Sequence, residues 1–221
     1  MYKIETHFHT SETSLCSSIS SVDGILALKG KGYSGVIVTD HYYKGWFDAY
    51  NDMSFEEKID IWLKGYRNAS AEGERLNINV YLGMEIRFVD SPNDYLVFGI
   101  TEELLKNNHE LYLLGEESFK KFADCNNLFF LQAHPFRPYI ILAEAKNIHG
   151  IEVFNGNRRH ESRNYLAEEF AKENDLIMLS GSDFHEYEDL NSGGIYLENL
   201  PTSNKELVEM LMARKFILFK G

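Results

Sequence analysis

Two cysteines are all that this 221-residue chain contains. Cys16 and Cys125 supply neither a disulfide framework nor the paired spacing of a structural zinc site, a usage that suits a reducing cytoplasm. Long apolar runs are missing too: no segment approaches the roughly 20 residues of a membrane span. The N-terminus also lacks the basic stretch and apolar run of a secretory signal. Basic charge is scarce, with 22 Lys and Arg against 34 Asp and Glu and a formal net charge of −12. No Lys/Arg-rich run appears, so the overall field repels a long polyanion. Polymeric nucleic acid is therefore disfavoured as a partner, whereas a small anion drawn to bound metal is not, because metal charge dominates at close range. No repeat, low-complexity tract or linker divides the sequence, which leads us to expect one domain over residues 1–221.

What the chain does have is apolar and aromatic residues, 44% and 14% of the total, ample for a sizeable core. Its first strand, Lys3 to Thr10, ends in His7-Phe8-His9. On a strand, residues two apart share a face, so both imidazoles can address one divalent ion. Later strands end in similar residues. Val36-Ile37-Val38-Thr39 runs into Asp40-His41, Leu128 to Ala133 into His134-Pro135, and Leu176 to Ser182 into Asp183-Phe184-His185. Glu85 follows the apolar run Val80 to Met84. Each histidine alone is as well explained by surface or core packing; the recurrence points to a site.

Between these strands lie helical stretches. Ser21 caps one that ends at Gly30 and Gly32. Ser54 and Glu57, in capping-box register, open another that runs to about Leu76. Further helices are predicted at Glu116–Asp124, Glu161–Glu173 and Ser203–Arg214. Further strands are predicted at Asn79–Phe88, Asn93–Ile100 and Gly150–Phe154, with a short closing strand at Gly193–Leu197. The alternation argues for parallel β/α architecture, and about seven strands suit a barrel, whose functional residues sit at the C-terminal strand ends. An aromatic loop, Tyr42 to Tyr50, reads either as a wall over a pocket or as packing on its own helix.

Four to five imidazoles and two carboxylates exceed what one tetrahedral zinc requires. Two or three divalent ions are the natural reading, with Glu85 as bridge. A bound water of lowered pKa would be the nucleophile, which fits phosphate-ester hydrolysis first and amide or lactone hydrolysis second. Arg137 follows the His134 strand end, and Arg158 and Arg159 follow the next; guanidinium forks there suit phosphate oxygens. For Arg158 and Arg159 a solvated helix start is an equal reading. His160 could protonate a leaving oxygen or simply be exposed.

In sequence order, His7-Phe8-His9-Thr10, Thr39-Asp40-His41, Gly83-Met84-Glu85, Ala133-His134-Pro135 and Ser182-Asp183-Phe184-His185 resemble the motifs of the PHP (polymerase and histidinol phosphatase) superfamily. The resemblance implies a distorted (β/α)7 TIM-like barrel and a metal cluster, often trinuclear, of zinc, manganese or iron. It also implies phosphoesterase activity on a small phosphorylated substrate. By motif, His7, His9, Glu85 and Asp183 would share the first metal, Glu85 and His134 the second, and His41 and His185 the third. The chain departs from the fullest pattern twice. Ser14-Leu15-Cys16 and Asn93-Asp94-Tyr95-Leu96 stand where some relatives carry histidines. Cys16 and His109 are substitute ligands to be weighed against a plain thiol and an exposed turn. Asp40 would orient His41 or touch metal, and Glu152 would be a barrel charge paired with an arginine. A non-phosphate hydrolase in the manner of amidohydrolases, or a non-catalytic regulatory domain, are the alternatives.

Overall fold

The computed structural model describes residues 1–221. Its sheet begins with β1 (Tyr2–Phe8), β2 (Tyr33–Val38), β3 (His41–Tyr43), β4 (Asn79–Arg87) and β5 (Asp94–Phe98), and continues with β6 (Phe129–Gln132), β7 (Gly150–Asn155), β8 (Ile177–Gly181), β9 (Gly193–Leu197) and β10 (Phe216–Lys220). The helices are α1 (Ser21–Gly30), α2 (Lys44–Asp48), α3 (Phe55–Trp62), α4 (Lys64–Leu76), α5 (Glu102–Asn107), α6 (Gly115–Cys125), α7 (Asn164–Glu173) and α8 (Asn204–Met212). The strand order is β10-β9-β1-β2-β4-β5-β6-β7-β8, with β3 added to β4. Strands β1, β2, β4, β5, β6, β7 and β8 form the wall of a nearly closed barrel. Closure comes at the end that carries the predicted site. Phe8 bridges Phe184, the His9 N–H donates to the Phe184 carbonyl at 3.1 Å, and the Phe184 N–H donates to the His7 carbonyl at 3.0 Å. Lower down, β1 pairs instead with β9 through Tyr2, Lys3 and Ile4.

The wall strands are mostly buried on both faces, with apolar side chains supplying most of the packing. Ile4, Ile37, Leu96, Leu131 and Leu179 join Leu207 and Leu211 of α8 in one cluster. Burying each such side chain contributes about 1.5–3 kcal/mol. Tyr42, Trp46 and Phe47 pack into a second cluster with Trp62 and Tyr112. The aromatic loop therefore folds mostly onto its own helices, although Trp46 and Tyr43 also line a cavity beside the site.

Several features differ from the sequence expectation, among them β3, α2 and α5, which it places in a loop or does not predict. β5 is antiparallel to both β4 and β6, because only the short turn between Arg87 and Asp94 separates it from β4 and no crossover helix intervenes. The helical stretch from Ser54 breaks at Leu63, the shared cap of α3 and α4. Ser20 rather than Ser21 caps α1, accepting from the Asp23 N–H. β10 follows the last predicted element and pairs with β9. No helix is long and apolar enough to cross a membrane.

Candidate metal centre

At the C-terminal ends of the barrel strands, His7, His9, His41, Glu85, His134, Asp183 and His185 come together, all seven side chains buried or nearly so. Glu85 stands between two pairs of imidazoles. Its Oε1 lies 3.3 Å from His7 Nε2 and 3.1 Å from His134 Nε2. Its Oε2 lies 2.8 Å from His41 Nδ1 and 3.4 Å from His9 Nε2. Across the cluster, Asp183 Oδ1 lies 3.4 Å from His7 Nε2, 3.5 Å from His9 Nε2 and 3.2 Å from His185 Nδ1. His9 and His185 rings stack at 4.1 Å.

Two backbone positions serve this convergence at a cost. His134 and Asp183 adopt φ of 29° and 52°, a region non-glycine residues rarely occupy. Strain of this kind, about 1–3 kcal/mol per residue, clusters at functional sites. A glycine makes room below: a Cβ on Gly181 would come within 2.6 Å of the His7 Cβ and 2.9 Å of Glu152 Oε1.

The surroundings fix which ring nitrogens face inward. His7 Nδ1 meets Glu152 Oε1 at 2.9 Å, so Nδ1 keeps a proton and, in the neutral ring, Nε2 presents its lone pair. For His9 the arrangement is a relay. The Ser14 hydroxyl donates to Asp40 Oδ1 at 2.7 Å, which leaves its oxygen to accept from His9 Nδ1 at 3.2 Å. His7 Nε2 and His9 Nε2 are buried and have no hydrogen-bond partner. Buried polar atoms are seldom left this way; two lone pairs aimed at two carboxylates fit a divalent cation.

Electrostatics divide the imidazoles. Burial resists charge on His7 and His41, but Asp183, Glu152 and Glu85 around the first, and Glu85 and Cys16 around the second, hold both well above their ordinary values. A cation entering there displaces protons. Burial and the His185 and His41 charges push His9 well below its ordinary value. Burial opposes ionisation of Glu85 and Asp183, but His41 and His7 hold the first, and His7 and Arg137 the second, well below the usual carboxylate range. Burial likewise resists charge on His185, yet Asp183 and Cys16 outweigh it and hold its pKa at about 10.

Asp40 does not bond His41. It accepts from the Thr10 N–H and hydroxyl and from Ser14, so it acts on His9 through Ser14. Glu152 pairs with His7 rather than an arginine, and its Oε2 accepts from the His134 N–H at 2.9 Å and Asn155 Nδ2 at 2.9 Å. His109 is exposed and stacks on Phe55, outside the cluster. Cys16 lines the site cavity with His41 and His185. Burial pushes its thiol up, but hydrogen bonds from His185 and His41 prevail and bring it to about 6.

That cavity, about 200 Å³, is also lined by Arg137, Arg159 and His160. Arg137 reaches Asp183 Oδ2 at 2.6 Å and Asn155 Oδ1 at 2.8 Å. Arg159 is held by Asp189 at 2.8 Å, and His160 is exposed at the rim. Arg158 lines a neighbouring groove instead. A second cavity of about 440 Å³ adjoins through Cys16 and His41 and is walled by Tyr43, Trp46 and Arg87. A larger groove, about 670 Å³, lies at the start of β4, away from the cluster, and Glu74 is its only carboxylate.

Sequence reasoning missed Glu5, Ser14, Asn155 and Asp94. Glu5 is fully buried; it accepts from the His7 and Ser182 N–H groups and the Ser182 hydroxyl, stapling β1 to the end of β8. The period-two pattern of β1 puts Glu5 on the face of His7 and His9, which was a usable signal.

No protein-family model matches the sequence, and among curated proteins no match is found. Solved structures do match. One is a two-domain protein from Bacteroides vulgatus containing a predicted PHP-like metal-dependent phosphoesterase; at 15% identity and a TM-score of 0.66 it covers 99% of this chain and 64% of its own. The fold is that of the PHP-like proteins. A protein from Bifidobacterium adolescentis named as a metal-dependent phosphoesterase matches at 14% identity and a TM-score of 0.55, over 94% of this chain and 95% of its own. A lesion-specific endonuclease from Pyrococcus furiosus matches at 11% identity and a TM-score of 0.61, over 98% of this chain and 57% of its own. The chain thus spans less than two thirds of the first and last of these proteins. At such identities the PHP-like fold is the common property.

Proposed function

We propose that this chain is a single-domain, metal-dependent hydrolase of phosphate esters acting on a small phosphomonoester or short phosphodiester. The observation that carries this reading is the pair of buried, unpartnered Nε2 atoms of His7 and His9 facing Glu85 and Asp183. His7, His9, Glu85 and Asp183 would hold one ion, Glu85 and His134 a second, and His41 and His185 a third; zinc, manganese and iron all suit imidazole with carboxylate. When bound, such ions supply Lewis-acid stabilisation of charge at phosphorus and activate water.

The chain's own residues prepare the site. Glu152 and Ser14 orient His7 and His9, and burial keeps bulk water from the inner cluster. Arg137, hydrogen-bonded to Asp183 at the cavity wall, is the group best placed to hold a non-bridging phosphate oxygen. Arg159 contributes long-range positive charge, since Asp189 and Glu186 already engage it; Arg158 would serve only a substrate extending into the neighbouring groove. Burial and the Arg137 charge lower the pKa of His160, so it would protonate a leaving oxygen only after substrate charge restores its proton affinity. The net charge of −12 favours a small substrate. With an endonuclease among the structural neighbours, the expectation against polymeric nucleic acid rests on charge alone.

Elemental analysis of protein purified without chelator, paired with p-nitrophenyl phosphate turnover on the same sample, tests the proposal. Two to three Mn, Fe or Zn per chain with metal-dependent turnover supports it. A filled cluster without phosphatase turnover moves the reading to hydrolysis of a non-phosphate bond. Failure to retain any ion, with no activity after manganese addition, overturns it.

A further inference from the structure

The turn between β4 and β5 brings one more carboxylate to the cluster. Arg87 on β4 pairs in register with Asp94 on β5, and Glu85 with Leu96. On the other edge of β4, His41 pairs with Glu85 and Tyr43 with Arg87. Residues directly opposite, or two apart on one strand, share a face. His41, Glu85, Arg87 and Asp94 therefore all point to the same side. The ligand atoms of His41, Glu85 and Asp94 lie within 4.8 Å of one another. Asp94 is buried, and both it and Glu85 line the site cavity.

We infer that Asp94 is a metal ligand, adding a carboxylate to the ion that His41 and His185 would hold, on the side of the cluster where Glu85 lies; this rests on the metal-cluster reading above. A plain ion pair with Arg87 explains less. Arg87 does reach Asp94 through two hydrogen bonds of 2.7 Å, but its side chain is 46% exposed while that of Asp94 is 6% exposed. An exposed partner gives little return for burying a carboxylate. It also leaves the repulsion between two close carboxylates largely in place, whereas a divalent cation between them would cancel it. The unpartnered Nε2 of His9 lies nearby, in an adjoining set with His41 and His185 whose ligand atoms also fall within 4.8 Å of one another. Carboxylate oxygens suit manganese, and imidazole-rich sets suit zinc. Asp94 should therefore tilt its ion toward manganese. Arg87 is the counter-ion that the metal displaces, which frees its guanidinium toward the cavity shared with Tyr43 and Trp46.

The test is Mn²⁺ and Zn²⁺ binding to the wild type, Asp94→Asn, Asp94→His and Arg87→Met, followed by calorimetry and by the electron paramagnetic resonance of free Mn²⁺, with thermal melting as a fold control. Asp94→Asn should bind one Mn²⁺ fewer, or hold one at least tenfold more weakly. Asp94→His should keep the count but shift competition toward Zn²⁺. Arg87→Met should bind Mn²⁺ at least as tightly as the wild type. Wild-type binding in Asp94→Asn overturns the inference and leaves the phosphoesterase reading standing. The same ion lost in Arg87→Met as in Asp94→Asn overturns it too, by showing that the ion pair is structural. A wild-type chain that binds neither metal overturns both readings.

Discussion

The His7 imidazole donates through Nδ1 to Glu152 Oε1 at 2.9 Å, and both side chains are fully buried. This one contact decides what His7 can do, because it holds a proton on Nδ1 and turns Nε2 toward Glu85 and Asp183. Glu152→Gln tests it. Glu152 Oε2 accepts from both the His134 N–H and Asn155, so a glutamine keeps its amide oxygen on that side and turns its –NH2 toward His7 Nδ1, which must then accept and shift its proton to Nε2. Metal affinity should fall about 10- to 100-fold with the melting temperature little changed, as measured by calorimetry and thermal denaturation.

Ser14 does the corresponding work for His9. Ser14→Ala removes the acceptor for His9 Nδ1 and one of the bonds to Asp40. The loss of buried hydrogen bonding should cost about 1–3 kcal/mol of stability and weaken metal binding together, read by denaturant titration and by manganese binding. Unchanged metal affinity would show that Ser14 serves only the loop.

Arg137 separates substrate binding from metal binding. Arg137→Ala deletes a charged hydrogen bond of the kind that contributes about 1.5–3 kcal/mol. KM for phosphorylated substrates should rise about tenfold to a hundredfold while metal content stays constant. Steady-state kinetics with elemental analysis on the same preparation checks both halves; loss of metal would show that Arg137 chiefly supports Asp183.

At the opposite end of the barrel, His149 Nδ1 accepts from the Phe130 N–H at 3.0 Å and Nε2 meets Asp124 at 2.7 Å. The ring must therefore be neutral in the folded chain, and burial lowers its pKa. Between the folded and unfolded pKa values the unfolded chain binds more protons, so this stability is present above about pH 6.5 and is lost as pH falls below it. Denaturant midpoints of the wild type and His149→Gln should differ at pH 8 and converge toward pH 5.

The residues of the buried His and carboxylate cluster were legible in the sequence because each motif is local: a strand end, an alternating His-x-His, an Asp two residues before a His. What was not legible depends on strand register. Asp94 reads as a turn residue until β5 is known to run antiparallel to β4 and to set it opposite Arg87. The partner of Glu152 could not be read either, since His7 lies 145 residues away and any barrel-facing cation would have satisfied the pattern. Asp40 was mistaken for a direct support of its neighbour His41 because sequence shows adjacency, whereas the backbone turn aims it at Thr10 and Ser14. β10 escaped because its alternation is weak and its residues are only partly buried.

The central claim is that the unpartnered Nε2 atoms of His7 and His9 belong to a metal centre. Anomalous diffraction at the manganese edge from crystals grown with MnCl2 tests it most directly. The account predicts anomalous peaks bounded by His7, His9, Glu85 and Asp183, with at least one further peak beside His134 or His41. Manganese found only at surface carboxylates, with the His7 and His9 rings unchanged, would contradict it.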